Sequence, residues 1–373
     1  MSRRSNLFGL LVLLLSDLCD GSEWVDLTEA EQRNINDQLS SFLSNNDIKS
    51  LPIHKKESCT SSCSEDPVKE IVHYRFTYKD LAGQERELLY PVATHNIKAE
   101  ISKMTIDGDT LVEVATYPAL NCFNYNEEPL LHHIQEKLFS HPDGQPLNLS
   151  HPFKPEGESG LPLIVDKLVF GEQLKNGFFI EAGSQDAEEN SNSLHFEVTH
   201  GWTGLLVEGH PMWHHMARWR HRNATLVNTC LGIETKPAMA DFDWAEATDI
   251  IPSMAGLVPE PGERSIRLQC LPLASLVLAM GNPTVHYFSL DIEGAELQVL
   301  QTIPWTELDI WVVSVETHLA GLVFPGSREA IIEFMASVGY ILVPWTEDDM
   351  HKDDLFVRKD IELRGAAVKR DEL

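Results

Sequence analysis

Gly177–Gly209 reads GFFIEAGSQDAEENSNSLHFEVTHGWTGLLVEG: an apolar run, a turn holding an acid and a glycine, a short helical pattern, and a second apolar run ending in Glu208. That order is the first βαβ half of a nucleotide-binding α/β sheet, with a carboxylate where a ribose lies. A dinucleotide loop bares several glycine N–H groups to a pyrophosphate, whereas Gly183-Ser184-Gln185-Asp186-Ala187 offers one glycine and a carboxylate. Phosphate is disfavoured there. A cationic adenosyl ligand is favoured, its sulfonium and ammonium groups facing Glu181 and Asp186 and its ribose hydroxyls donating to Glu208. S-adenosylmethionine is such a ligand, with Glu181, Gly183, Ser184, Asp186 and Glu208 as its expected binding residues.

From residue 161 onward apolar runs alternate with helical patterns. Strands are expected near 177–182, 203–208, 224–229, 266–270, 285–291, 310–316 and 339–344, with helices near 191–199, 211–221, 272–280, 294–302 and 327–337. This is the rhythm of a doubly wound, Rossmann-like α/β sheet. The Pro-containing excursion Glu234–Glu263 breaks it and reads as a candidate lid. Upstream, Thr28-Glu29-Ala30-Glu31 opens an amphipathic helix over 28–45. Val72, Tyr74, Phe76 and Tyr78 alternate as a half-buried strand, and Asp107-Gly108 signals a hairpin between Ile101–Ile106 and Leu111–Tyr117. Residues 24–135 therefore read as an N-terminal α+β accessory region, 140–160 as a Pro/Gly-rich linker, and 161–360 as the main domain.

The same stretch, together with YFSLDIEGAELQVL (Tyr287–Leu300) and VVSVETH (Val312–His318), resembles the FkbM-type methyltransferase domain, and within it the Star-like animal branch. The resemblance covers roughly residues 161–345. It implies the class I methyltransferase sheet, with one antiparallel strand near the edge, and S-adenosylmethionine as cofactor. It also implies transfer of a methyl group to a hydroxyl of a sugar or natural product. The Star-like branch implies an alternative: a non-catalytic cargo-binding factor that assists transport of growth-factor precursors from the endoplasmic reticulum to the Golgi. The chain departs from the family motif E-x-G-A-x-D-G at Ser184 and Ala187, and from E-P-N-P at Gly209 and His210. Where position 187 takes a positive φ, an alanine costs about 1–2 kcal/mol.

Asp291, Glu293 and Glu296 follow the apolar run Val285–Leu290, at the carboxyl end of the sheet where ligands of such folds bind. Transfer to a hydroxyl needs a group to take its proton, and Asp291 is the first candidate, with Glu293 and His318 behind it. The plainer reading has Asp291 capping a helix that starts near Gly294. Glu316 reads either as an orienting partner for His318 or as an ordinary strand-end acid. No metal site is expected: Cys59 and Cys63 lack a second Cys/His pair, and His214 and His215 in His210–His221 face different sides. That segment reads instead as an aromatic core stripe with solvated histidines.

Arg3 and Arg4 precede the apolar run Leu7–Leu15, so residues 1–21 read as a secretory signal, or as a short signal anchor. Arg370-Asp371-Glu372-Leu373 is a variant of the K-D-E-L address read by a retrieval receptor. Together they predict the endoplasmic reticulum lumen, with no transmembrane span after signal cleavage. A net charge of −28 disfavours nucleic acid, so the expected partners are a glycan or a secreted or membrane-protein cargo. In that compartment Cys230 is expected to pair with Cys270, and Cys59 or Cys63 with Cys122. The sequons at Asn148 and Asn223 are candidate glycan sites, Asn148 the more accessible.

Overall fold

The computed structural model describes the backbone of residues 24–25, 53–60, 70–79, 85–93, 100–106 and 110–116, and the whole of residues 117, 120–121, 123–157, 160–171, 174–244, 255–260, 265–345 and 353–364. The chain divides into two compact units, Met1–Lys98 and Ala99–Leu373. In the first, β1 (Trp24–Val25), β2 (Ile53–Thr60), β3 (Glu70–Lys79) and β4 (Glu85–Ala93) form an antiparallel sheet in chain order. β3 is the alternating strand expected from Val72–Tyr78. The expected helix 28–45, the pairing of Cys122 and both chain ends lie outside the described residues.

The second unit opens with the predicted hairpin, β5 (Glu100–Ile106) against β6 (Thr110–Thr116). Helix α1 (Glu128–His133) widens into a π turn and leads to β7 (Phe139–Ser140); α2 (Leu161–Val165) ends in a second π turn, Asp166–Phe170. Next come β8 (Phe178–Ala182), α3 (Leu194–His200), β9 (Thr203–Glu208), α4 (Pro211–Ala217) and β10 (Ala224–Asn228). The excursion begins with β11 (Cys230–Leu231), β12 (Ala238–Trp244) and β13 (Ala255–Leu257), and β14 (Ser265–Leu271) brings the chain back. The remainder is α5 (Leu273–Ala279), β15 (Val285–Leu290), α6 (Glu296–Thr302), β16 (Ile310–Glu316), α7 (Arg328–Ser337), β17 (Tyr340–Val343) and β18 (Asp353–Arg358).

Eight strands form the main sheet in the order β17-β18-β16-β15-β8-β9-β10-β7. β8, β9, β10, β15 and β16 run parallel, and β18 lies antiparallel between β16 and β17. This is the doubly wound methyltransferase sheet that the resemblance implied. The parallel strands are buried on both faces, which is why they read as unbroken apolar runs. Beneath them Phe170, Phe196, Trp202 and Tyr287 pack edge to face or stacked, and Trp202 Nε1 donates to the Leu174 carbonyl at 3.0 Å. β8 is flanked by β9 on one side and β15 on the other, so the chain reverses its direction of travel there and opens a crevice at the strand ends.

The excursion expected as a lid instead supplies β12 and β13 to a second sheet, ordered β11-β14-β12-β13. Cys230 and Cys270, register partners across β11 and β14, are joined by the expected disulfide. The Pro/Gly-rich stretch 140–160 is anchored, since the Ser150 and His151 amides donate to Glu188 at 2.8 and 2.7 Å. Trp219 is 61% exposed rather than part of a core stripe, because the helix closes at Ala217 into a 3-10 turn that swings it outward. Both sequon asparagines are exposed, but Asn148 Nδ2 donates to the Trp219 carbonyl at 2.9 Å. Among the described residues no helix is long and apolar enough to cross a membrane.

Candidate functional site

Three strand ends are laced together by backbone bonds. The Gly183 and Ser184 amides both donate to the Val207 carbonyl, at 3.0 and 3.3 Å, and the Asp291 amide donates to the Ala182 carbonyl at 3.1 Å. Gly183 takes φ +84°, and a Cβ there would sit 1.7 Å from the Asp291 carbonyl oxygen. Its missing side chain therefore lets β15 close on β8, which brings Asp291 to the crevice beside Glu208. The loop continues through Gln185 at φ +46° and Ala187 at φ +62°. Ala187 thus occupies the left-handed region where the family motif has glycine, at about 1–2 kcal/mol of strain, with its methyl fully buried.

Glu208, at the tip of β9, is 5% exposed and accepts the Gln185 amide at one oxygen and the His210 amide at the other, each at 2.7 Å. Burial pushes its pKa up to about 7, against the pull of those two amides. Each carboxylate oxygen keeps a second acceptor direction toward the crevice that Glu208 lines. His210 caps α4, its Nδ1 accepting from the Met212 amide at 3.2 Å, and burial lowers its pKa to about 4. It is a neutral acceptor there, outside the helix as the sequence indicates.

The other loop acids are held by the protein itself. Glu181 accepts from Ser191 Oγ at 2.8 Å, from the Asn192 amide at 2.6 Å and from Ser193 Oγ, so it pins the 191–193 turn behind the crevice. Asp186 accepts the Glu188 and Glu189 amides at 3.0 and 2.9 Å and pairs with Arg220, which also reaches Glu188 at 2.9 Å. Burial pushes the Asp186 carboxyl up, but the Glu189 amide, Arg220 and the Glu188 amide outweigh it and hold it below its usual range. Asp186 lines neither the crevice nor the smaller cavity next to it; Glu181 and Ser184 line that smaller cavity, which shares Gly183, Gln185 and Asp291 with the crevice. Ser184 Oγ is buried with no hydrogen-bond partner, which leaves a hydroxyl ready for a ligand.

On the opposite side stand Asp291 and Glu293, the latter at φ +64°, and both line the crevice. α6 begins at Glu296 with Ala295 at its cap, and Glu296 itself folds back to accept the Ile292 and Gly294 amides at 3.0 Å each. Glu316, at the end of β16, faces His318 Nδ1 at 3.0 Å. Burial, and then the charges of Asp291, Glu293 and Glu296, push the Glu316 carboxyl far above its usual range. No Lys, Arg or His occurs among the described residues lining the crevice. An anionic ligand would be repelled, while a cation or a diol finds acceptors.

The outer wall is apolar and comes from the second sheet: Phe242, Ala255 and Leu257, with Trp213 of α4. A Cβ on Gly209 would meet the Phe242 ring at 2.8 Å. The family's proline after the acid is therefore replaced here by a glycine that leaves room for that ring.

Residues 181–342 match the model of the methyltransferase FkbM domain. The matched span runs from Glu181, near the end of β8, to Leu342 in β17 and holds every crevice residue named above. No curated protein is similar enough in sequence to match. Among solved structures, a precorrin-6y C5,15-methyltransferase from Geobacter metallireducens overlaps 54% of this chain and 86% of its own, at 14% identity and TM-score 0.29. A TehB-like SAM-dependent methyltransferase from Corynebacterium glutamicum overlaps 56% and 90%, at 10% identity and TM-score 0.31. LepI bound to SAH overlaps 56% and 50%, at 10% identity and TM-score 0.29. Overlaps this loose carry no argument, and the fold stands on the strand order and register.

Arg220, Glu296 as a loop clasp and the Phe242 wall were not singled out from sequence, whereas Ser184 was among the expected binding residues. Ser184 also left a signal as a departure from the family's alanine.

Proposed function

We propose that the chain is an S-adenosylmethionine-dependent O-methyltransferase of the endoplasmic reticulum lumen, acting on a hydroxyl of a glycan or another secretory-pathway substrate. Glu208 carries the reading: a buried carboxylate at the tip of the second strand, clamped by two amides, opens on a crevice whose described lining has no basic side chain. Ser184 Oγ, buried without a hydrogen-bond partner on the cavity next to the crevice, offers the same ligand a further polar contact. When bound, the donor supplies an electrophilic methyl group on a positively charged sulfur. Glu208 accepts the ribose hydroxyls, Phe242 and Leu257 exclude water, and Asp291 and Glu293 face the positive charge. Asp291 stands where an acceptor hydroxyl loses its proton, with Glu293 beside it on the crevice wall and His318 held by Glu316.

The lumenal placement is supported by the Arg370–Leu373 address, the Leu7–Leu15 run and the Cys230–Cys270 disulfide, a bond that persists in oxidising compartments. The test is the melting temperature of the recombinant protein with S-adenosylmethionine or S-adenosylhomocysteine. Ligand at 100 times its dissociation constant adds about 2.7 kcal/mol. Labelled-methyl transfer to secretory glycans then identifies the acceptor. No shift at millimolar ligand defeats the enzyme reading and leaves the cargo carrier, for which lumenal cross-linking is the assay.

A further inference from the structure

Beside the crevice, three carboxylates from separate elements converge. Asp291 follows β15, Glu316 ends the neighbouring parallel strand β16, and Glu296 opens α6; each offers an oxygen, and these oxygens all lie within 4.8 Å of one another. Two of the three are sealed from solvent, Glu296 at 1% and Glu316 at 4% exposure, while Asp291 lines the crevice and gives access. Glu316 is in contact with Asp291 inside the trio, and further partners lie outside it. Glu296 Oε1 clasps the Ile292 and Gly294 amides, and Glu316 Oε1 faces His318 Nδ1 at 3.0 Å. Glu316 Oε2 remains, wholly buried and without a hydrogen-bond partner.

We infer that Asp291, Glu296 and Glu316 form a site for a hard divalent cation, Mg2+, Mn2+ or Ca2+, that holds the acceptor of methyl transfer. Donor chemistry selects the ion: three carboxylate oxygens, with neither sulfur nor imidazole in the set, suit oxygen-loving cations rather than zinc. The His318 contact to Glu316 is the outer hydrogen bond that orients a ligating carboxylate. A second trio, Asp166, His195 and His200, has the more zinc-like composition, yet both imidazoles are already bonded to one Asp166 oxygen, Oδ2, at 3.0 and 2.8 Å. Lys175 Nζ sits 2.8 Å from His200 Nδ1 and donates to it, so His200 Nε2 carries the proton and gives it to Asp166 at 2.8 Å.

Three protein oxygens leave coordination positions open, so the acceptor class is a molecule with two neighbouring hydroxyls that chelate the ion, as a sugar diol does. This deepens the hydroxyl-transfer reading above and rests on it. In the step so assisted, the acceptor's O–C bond forms as the donor's S–C bond breaks, the sulfonium becomes a neutral thioether, and the hydroxyl proton passes to Glu293. Asp291 is then a ligand rather than the base.

The test titrates the full chain with Mn2+ alone and follows it by electron paramagnetic resonance, with no donor present. One tightly held Mn2+ per chain is expected, displaced by Mg2+ or Ca2+ and weakened about tenfold or more in both Glu316→Gln and Glu296→Gln. No uptake at millimolar Mn2+, or uptake that both variants retain, overturns the site. The wild-type titration decides alone should either variant fail to fold. A melting shift with S-adenosylmethionine in EDTA reports the donor crevice separately. A donor shift without Mn2+ uptake removes the cation and keeps the donor; Mn2+ uptake without a donor shift does the opposite.

Discussion

Glu208 titrates near neutrality, so donor binding is expected to depend on pH where an ordinary glutamate would give no dependence. Burial raises its carboxyl from 4.5 to about 7 in the ligand-free protein. Ribose hydroxyls donate to the ionised form, and a proton on Glu208 competes with them. At pH 6 about one molecule in ten is ionised, so the apparent dissociation constant is about tenfold weaker than at pH 8. At pH 7 about half a proton leaves for each donor bound. The assay is isothermal titration calorimetry from pH 6 to 8, in two buffers of different ionisation enthalpy. Adenosine is the control ligand, because it carries the ribose diol without the amino acid that titrates on the donor itself.

Stability is linked with a definite sign. A carboxyl whose folded pKa is raised holds its proton more tightly when folded, so its contribution is complete below pH 4.5 and is lost as pH rises through about 7. The ligand-free protein therefore loses about 3 kcal/mol of stability across that window, and bound donor restores part of it. Glu208→Gln flattens both profiles. Its affinity is also lower throughout, since the amide NH2 opposes one of the two N–H groups clamped there, at a cost of about 1–3 kcal/mol. Adenosine affinity that stays flat from pH 6 to 8 with no proton release would refute the placement of ribose on Glu208.

Gly183→Ala drives a methyl into the Asp291 carbonyl, 1.7 Å from the ideal Cβ, at positive φ, and should cost about 3 kcal/mol or more by urea denaturation while abolishing the donor-induced melting shift. Arg220→Met leaves Asp186 buried without its cation; destabilisation of about 3–5 kcal/mol is expected, which acid pH should partly relieve by protonating Asp186. Replacing Cys230 and Cys270 by serine opens a loop of 40 residues, with an expected loss of about 4 kcal/mol. Because Cys230 also lines the crevice, the reduced wild-type protein should bind the donor more weakly than the oxidised one, as calorimetry with and without dithiothreitol will show.

The sheet was legible in the sequence because β8, β9, β15 and β16 are buried on both faces and therefore spell continuous apolar runs between turn residues. β18 was not, since it begins with Asp353 and Asp354 and is fixed by antiparallel pairing to β16 and β17, which no local pattern encodes. The excursion misled for a similar reason. Its prolines read as loop, yet β12 is built by pairing with β14, beside the β11–β14 register that the disulfide fixes.

Acids were easy to find and their duties were not. Glu181, Asp186 and Glu208 look alike as ligand groups within one βαβ stretch. What separates them is a partner delivered from elsewhere. Arg220, 34 residues away, takes Asp186; the turn at Ser191 and Ser193 takes Glu181; Glu208 meets only two backbone amides and keeps its outward lone pairs. The same logic governs the far side of the crevice. Asp291 and Glu316 are remote in sequence and become neighbours because Leu290 pairs with Val315. Glu296, which reads as an ordinary first-turn helix acid, becomes the clasp of the turn that follows Asp291. A carboxylate's chemistry in this fold follows from which donors the strand register brings to it.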